Sequence, residues 1–243
     1  MASTVQSYAK FPTWIVALAA GLVLSPILTA TPLLRYVAWF LSSLFHESGH
    51  CAMAILTGHS ALPAIRLDGH AAATHGPQHT ILTWATLIAL IVCTWKFRDR
   101  RKLAIGLGAL ALVYPVLAWT SFGKIAFLGS GHLGELAFAS YALACATTGG
   151  FTSSLAERIA HALLGFWLVG HNFMLFVGLA TDSGARAVYA SNGSFGMQND
   201  LIRIASYMTT SLEAVAVCFA AVSLLVAPVT LTFAVLYNRR YGD

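Results

Sequence analysis

Apolar residues run along this chain in blocks close to the length that crosses a bilayer as helix, about 20 residues. Such blocks cover 13–31, 33–57, 78–97, 103–121, 125–147, 157–179 and 204–237, with short polar stretches between them. They predict an all-α polytopic membrane protein of about seven transmembrane helices, forming a single transmembrane domain over residues 1–243. The last block is long and contains Pro228, so it is expected to tilt, kink or start late. Lys10 ahead of the first block fits a signal peptide as well as a first span, and the chain is read as retaining it.

Two connections are long enough to matter, residues 58–77 and 180–203. The first holds two short extendable runs around Asp68-Gly69, and Asp-Gly in that setting favours a tight turn because both central positions take positive φ. A small β-hairpin is therefore expected directly after the second helix. The second connection, through Asn192-Gly-Ser to Asn199-Asp200, is rich in turn formers and reads as a solvated link or a cap over the bundle.

Composition agrees with the blocks: of 243 residues 58% are hydrophobic and 9% charged, against about 25% charged in soluble domains. The net charge is +5, but the basic residues lie between spans and form no nucleic-acid stripe. Lys96–Lys102 and Arg239-Arg240 are the strongest cytoplasmic markers. An integral membrane protein of a bacterial inner membrane, with its C-terminus cytoplasmic, is the expected setting. Cys51, Cys93, Cys145 and Cys218 all fall within proposed spans without CxxC spacing, which argues against a disulfide framework.

Against this apolar background, Ser43–Gly58 carries His46-Glu47-Ser48-Gly49-His50. Histidines four apart share one helix face and can bind one metal ion, while the glutamate between them can serve as general base toward a water at that ion. Ionisable groups inside a span are expensive and tend to mark function; the alternative is a hydrogen-bonded polar core. A third ligand has to come from elsewhere. Counting about 1.5 Å per residue from the span ends brings His132 and Glu135 of the fifth span to the depth of His50 and Glu47, with His171 and Glu213 at similar depth. His132 ranks first as third ligand, then Glu135, with His171 and Glu213 as supporting groups or extra ligands. His161, His59, His70, His75 and His79 read as interfacial or solvated, and Cys51 as buried packing.

The run His46 to Gly58, followed by Ile65-Arg-Leu-Asp-Gly69, resembles the start of the site-2 protease family of intramembrane zinc metalloproteases, especially its short members without a PDZ domain. The resemblance covers about residues 40–75. It implies His46 and His50 as zinc ligands and Glu47 as the base that activates water. It also implies that the hairpin edge, around Ile65, Arg66 and Leu67, pairs with an unwound substrate segment by strand addition. The family's third ligand is an aspartate in a late LDG motif; here Leu67-Asp68-Gly69 sits in the hairpin, and the third position is assigned instead to the HxxE span.

The expected activity is hydrolysis of a membrane-embedded peptide with Zn2+, although histidine and carboxylate ligands also suit iron and manganese. The competing expectation is a non-proteolytic metal-binding or structural subunit among neighbouring membrane subunits. The other expected partner is the lipid bilayer, with no nucleic acid.

Overall fold

The computed structural model describes residues 12–66, 71–191 and 198–241. In chain order the elements are α1 (Thr13–Leu24), a 3-10 turn (Ser25–Thr29), α2 (Pro32–Leu56), β1 (His59–Ile65), β2 (Ala71–Gln78), α3 (Thr80–Lys96), α4 (Arg101–Trp119), α5 (Phe122–Thr148), α6 (Leu155–Thr181), α7 (Ser183–Ser191), α8 (Asp200–Tyr207) and α9 (Leu212–Tyr241). The fold is predominantly helical with one two-stranded antiparallel sheet, as the hydrophobic blocks and the hairpin signal predict.

Seven spans are not supported. Among the described residues three helices are long and apolar enough to cross a membrane, α4, α6 and α9, or four if α1 with its turn and α2, bent by 107°, count as one. The blocks do fold as helices, but length and polarity disqualify the others. Within the first block α1 has only 12 residues, ending where Pro26 opens the 3-10 turn, and α3 has 17. Polar and charged positions dilute the rest: Arg35, His46, Glu47 and His50 in α2, and Lys124, Ser130, His132 and Glu135 in α5. The expected last span divides into α8 and α9 at a break where Thr209 takes a φ of 48°. Outward-facing apolar residues are numerous, with Ile81 83% and Leu112 81% exposed, as suits helices solvated by lipid chains.

The chain folds as two compact units. The first contains the described residues of 1–39, 136–178 and 216–243. Small residues let its helices approach closely, the usual device where lipid removes the hydrophobic drive between helices: Gly21 packs against Ala162, and Gly165 against Leu143 and the Ala139 carbonyl. Phe176 meets Phe219 at 5.3 Å between ring centroids, and the Asn238 amide donates to the Thr147 carbonyl at 2.9 Å.

The second unit, residues 40–135 and 179–215, contains the hairpin and most of the polar cluster. Its hairpin pairs Ile65 with Ala71 and Leu62 with Thr74, and a bulge lies between His59 and Ala61. The connecting residues Leu67, Asp68, Gly69 and His70 lie outside the described residues, as do Lys10 and Asn192-Gly-Ser. A helix leaves its last carbonyls unpaired, and donors from α4, β2 and the start of α3 pin the end of α2. The buried Tyr114 hydroxyl donates to the Leu56 carbonyl at 3.0 Å, Gln78 Nε2 to that of Thr57 at 2.8 Å, and the His79 amide to that of Gly58 at 2.8 Å. Gly58 itself takes a φ of +87°, which ends the helix and turns the chain into β1. The HExxH helix is thus anchored where it meets the hairpin.

Candidate metal centre

Glycines bring α2 and α5 together at the cluster. Gly49 of the HExxH run lies against the Ser130 carbonyl, and a Cβ on Gly134 would come within 2.8 Å of the Gly49 Cα and the Phe45 carbonyl. This close approach of backbones gathers His46, Glu47, His50, His132 and Glu135, the groups expected from the sequence. Glu47, His50, His132 and Glu135 are buried.

A residue that read only as part of a turn-rich link completes the arrangement. Asp200 opens α8, where a carboxylate also suits the positive end of the helix dipole. The Asn199 side-chain amide donates to the Tyr189 carbonyl of α7, and Leu201, Ile204 and Ala205 bury the inner face of α8. Asp200 Oδ2 thereby stands 3.2 Å from His46 Nε2 and 2.9 Å from His50 Nε2, and the two Nε2 atoms are 3.1 Å apart. Burial alone would push the Asp200 carboxyl up; the bonds to His46 and His50 outweigh it and hold the carboxyl below the usual range. Burial pushes the neighbouring Tyr189 phenol well above its ordinary range, and the Asp200 charge adds to the effect.

The outer nitrogens of both histidines have acceptors of their own. His50 Nδ1–H donates to the Phe127 carbonyl at 2.8 Å, and His46 Nδ1 faces Glu135 Oε2 at 3.4 Å. Metal-bound histidines characteristically give their other N–H to a carbonyl or carboxylate, which fixes the tautomer and aims the free lone pair at the ion. Two imidazole lone pairs and a carboxylate oxygen then converge on one point. The spacings of 2.9–3.2 Å are near the roughly 3.3 Å expected between tetrahedral ligands about 2.0–2.1 Å from zinc. Glycine is required beside them, since a Cβ on Gly131 would approach His50 Nε2 to 2.5 Å and His46 Nε2 more closely still.

Glu135 is the hub of a second layer. Its Oε2 lies 3.0 Å from His132 Nδ1, and its Oε1 accepts from the Ser42 hydroxyl. His46, His132 and Glu135 form a second group whose ligating atoms could share an ion. The His46 and His132 rings meet edge to face at 4.6 Å. The Glu47 carboxylate is buried with His46, His50 and Asp200 as its charged neighbours, and lies within hydrogen-bonding reach of the Ala73 amide of β2.

His171 and Glu213 do not join either metal-capable group among the described residues. His171 stacks on Trp167 at 5.0 Å, and Glu213 pairs with Arg186 at 3.0 Å near the surface. Ile65 ends β1 and Arg66 follows it, exposed; Leu67 lies outside the described residues. Of the hairpin histidines, His59 Nδ1–H donates to the Gly76 carbonyl at 2.9 Å, and His75 packs on Phe127 at 5.1 Å.

Comparison with family models, with curated proteins and with solved structures finds no match. The functional reading therefore rests on the residues themselves.

Proposed function

We propose that the chain is an intramembrane metalloprotease that hydrolyses a membrane-embedded peptide, with zinc held by His46, His50 and Asp200. One observation carries this reading: the two Nε2 atoms and Asp200 Oδ2 converge within 3.2 Å of one another, with all three groups as charged neighbours of Glu47 in the HExxH run. Three nitrogen and oxygen ligands are the set that leaves zinc an open position. Bound there, the metal supplies Lewis acidity toward a carbonyl and lowers the pKa of water.

The chain supplies the rest. Glu47, buried and beside β2, accepts the proton of the attacking water and can return it to the leaving amine. The Phe127 carbonyl and Glu135 keep His50 and His46 from rotating away. The hairpin, through Ile65, Arg66 and the outer edge of β2, aligns an extended substrate by strand pairing. That step is needed because a helical carbonyl is already hydrogen-bonded. The setting is a bacterial inner membrane, with Lys96–Lys102 and Arg239-Arg240 on the cytoplasmic side.

The test uses purified wild type, Glu47→Gln and Asp200→Asn, assayed for zinc by mass spectrometry and for cleavage of a reconstituted transmembrane peptide. Wild type should carry zinc and cleave, the glutamine variant should keep zinc and not cleave, and the asparagine variant should lose both. Cleavage by Glu47→Gln at the wild-type rate would refute the assignment.

The second group, His46 with His132 and Glu135, favours one alternative, a non-hydrolytic subunit that stores or uses metal. Two ions per chain, with Glu47→Gln as active as wild type in whatever the complex does, would support it.

A further inference from the structure

Beside the cluster, and wholly within the second unit, lies a cavity of about 610 Å3. This is within the range of about 300–1,000 Å3 typical of small-ligand sites. Its walls come from the end of α2, the hairpin, the end of α4, the first turns of α5, and α8. Lys124 and Arg203 line it, with His59 and His75, and among the described residues no carboxylate does. Among the described residues neither cation has an ion-pair partner; the Lys124 ammonium stands 5.9 Å over the Tyr207 ring. The start of α5 adds the positive end of a helix dipole. Leu117, Ala118, Trp119 and Leu128 add apolar surface to the lining, beside the polar Thr57, Gln78, Thr120 and Ser121.

Two cations with no ion-pair partner among the described residues, in a lining that is in part apolar, favour an amphiphilic anion over a neutral solute. The level of the cavity points the same way: α4 ends there at Trp119, whose ring meets Trp84 at 4.8 Å, and paired tryptophans favour the headgroup level of a bilayer. We propose that this cavity binds the phosphate headgroup of an anionic phospholipid, with Arg203 and Lys124 on the phosphate and the glycerol end against Leu117 and Leu128. Guanidinium suits the phosphate because it offers two parallel donors. Arg203 stands three residues after Asp200 on α8, so a seated headgroup also holds the helix that carries the aspartate. The binding itself is independent of the hydrolytic reading.

The test reconstitutes the full chain in phosphatidylcholine nanodiscs containing a minor fraction of brominated phosphatidylglycerol, or of brominated phosphatidylcholine for comparison. Quenching of Trp119 is isolated by difference against Trp119→Phe. Phosphatidylglycerol should quench at lower mole fraction than phosphatidylcholine. Lys124→Gln with Arg203→Gln should remove that preference, by about fivefold for each cation, and Lys124→Arg with Arg203→Lys should restore it. Equal quenching by the two lipids in wild type, or a preference unchanged in the double glutamine variant, overturns the proposal. Inorganic phosphate forms the second arm: if it relieves quenching where chloride of equal ionic strength does not, the ligand is the soluble anion and the lipid assignment falls. Zinc content, read in parallel, reports on the metal reading separately, and a chain that holds zinc without lipid preference overturns only the lipid site.

Discussion

Gly131→Ala separates the metal centre from the scaffold that carries it. The added methyl would lie 2.5 Å from His50 Nε2 and closer still to His46 Nε2, where ordinary contact is about 3.5 Å. Each imidazole tip would have to retreat by about 1 Å, and both can, because they are the ends of side chains. Coordination tolerates only about 0.2 Å. The loss should therefore reach or exceed the 100-fold upper end seen when a supporting contact is removed, a change of about 2.7 kcal/mol in binding. The fold should survive, since alanine is the better helix former by about 1 kcal/mol. Gly134→Ala makes the contrasting control. Its methyl would meet the Gly49 Cα and the Phe45 carbonyl, both backbone atoms at 2.8 Å, so the helices must part at a cost of about 1–3 kcal/mol. The assay is competition for zinc against a chromophoric chelator, with thermal unfolding of the chelated proteins alongside. Wild-type zinc affinity in Gly131→Ala would place the ion somewhere other than between His46 and His50 and refute the reasoning.

Other outcomes follow from the same contacts. His132→Ala should keep zinc with affinity lowered by about 10–100-fold, because its Nδ1 bonds Glu135 and its ring supports His46 without being one of the three converging groups; complete loss of zinc would make His132 a direct ligand. Tyr114→Phe should lower stability by about 1–2 kcal/mol, read by denaturant or thermal unfolding, because it leaves the Leu56 carbonyl without its donor. Chelation should lower the melting temperature of wild type but not of Asp200→Asn, since an ion that binds only the folded chain stabilises it by mass action; an equal shift in both would place the stabilising ion elsewhere.

The polar cluster was legible where it broke an apolar pattern. His46, Glu47, His50, His132 and Glu135 stand out because lipid-facing helices have no use for such groups, and helical spacing put each set on one face. Asp200 escaped because it follows Gly, Asn and Ser in a polar link, where aspartate ordinarily caps a helix or shapes a turn. A signal was present all the same: Asp200-Leu-Ile-Arg-Ile-Ala-Ser-Tyr207 buries Leu201, Ile204 and Ala205 on one face, and reading 204–237 as one block absorbed the second half of that helix into the last span. Depth counting brought in His171 and Glu213, but depth carries no information on direction around a helix. The same limit explains the span count: apolar blocks predict helices well, yet membrane crossing depends on every polar position the helix carries.

The separation of the converging ligands along the chain has a bearing on biosynthesis. His50 and Asp200 are 150 residues apart, and a ribosome adding about 5–20 residues per second needs roughly 8–30 s to make that interval. Throughout it the HExxH helix has been made while Asp200 does not yet exist. Over that interval a nascent chain holds only two of the three converging donors, so on the proposed reading the ion is held fully only after α8 has been made. On the proposed reading, a protease built in this way stays inert among the other chains emerging beside it until α8 is in place.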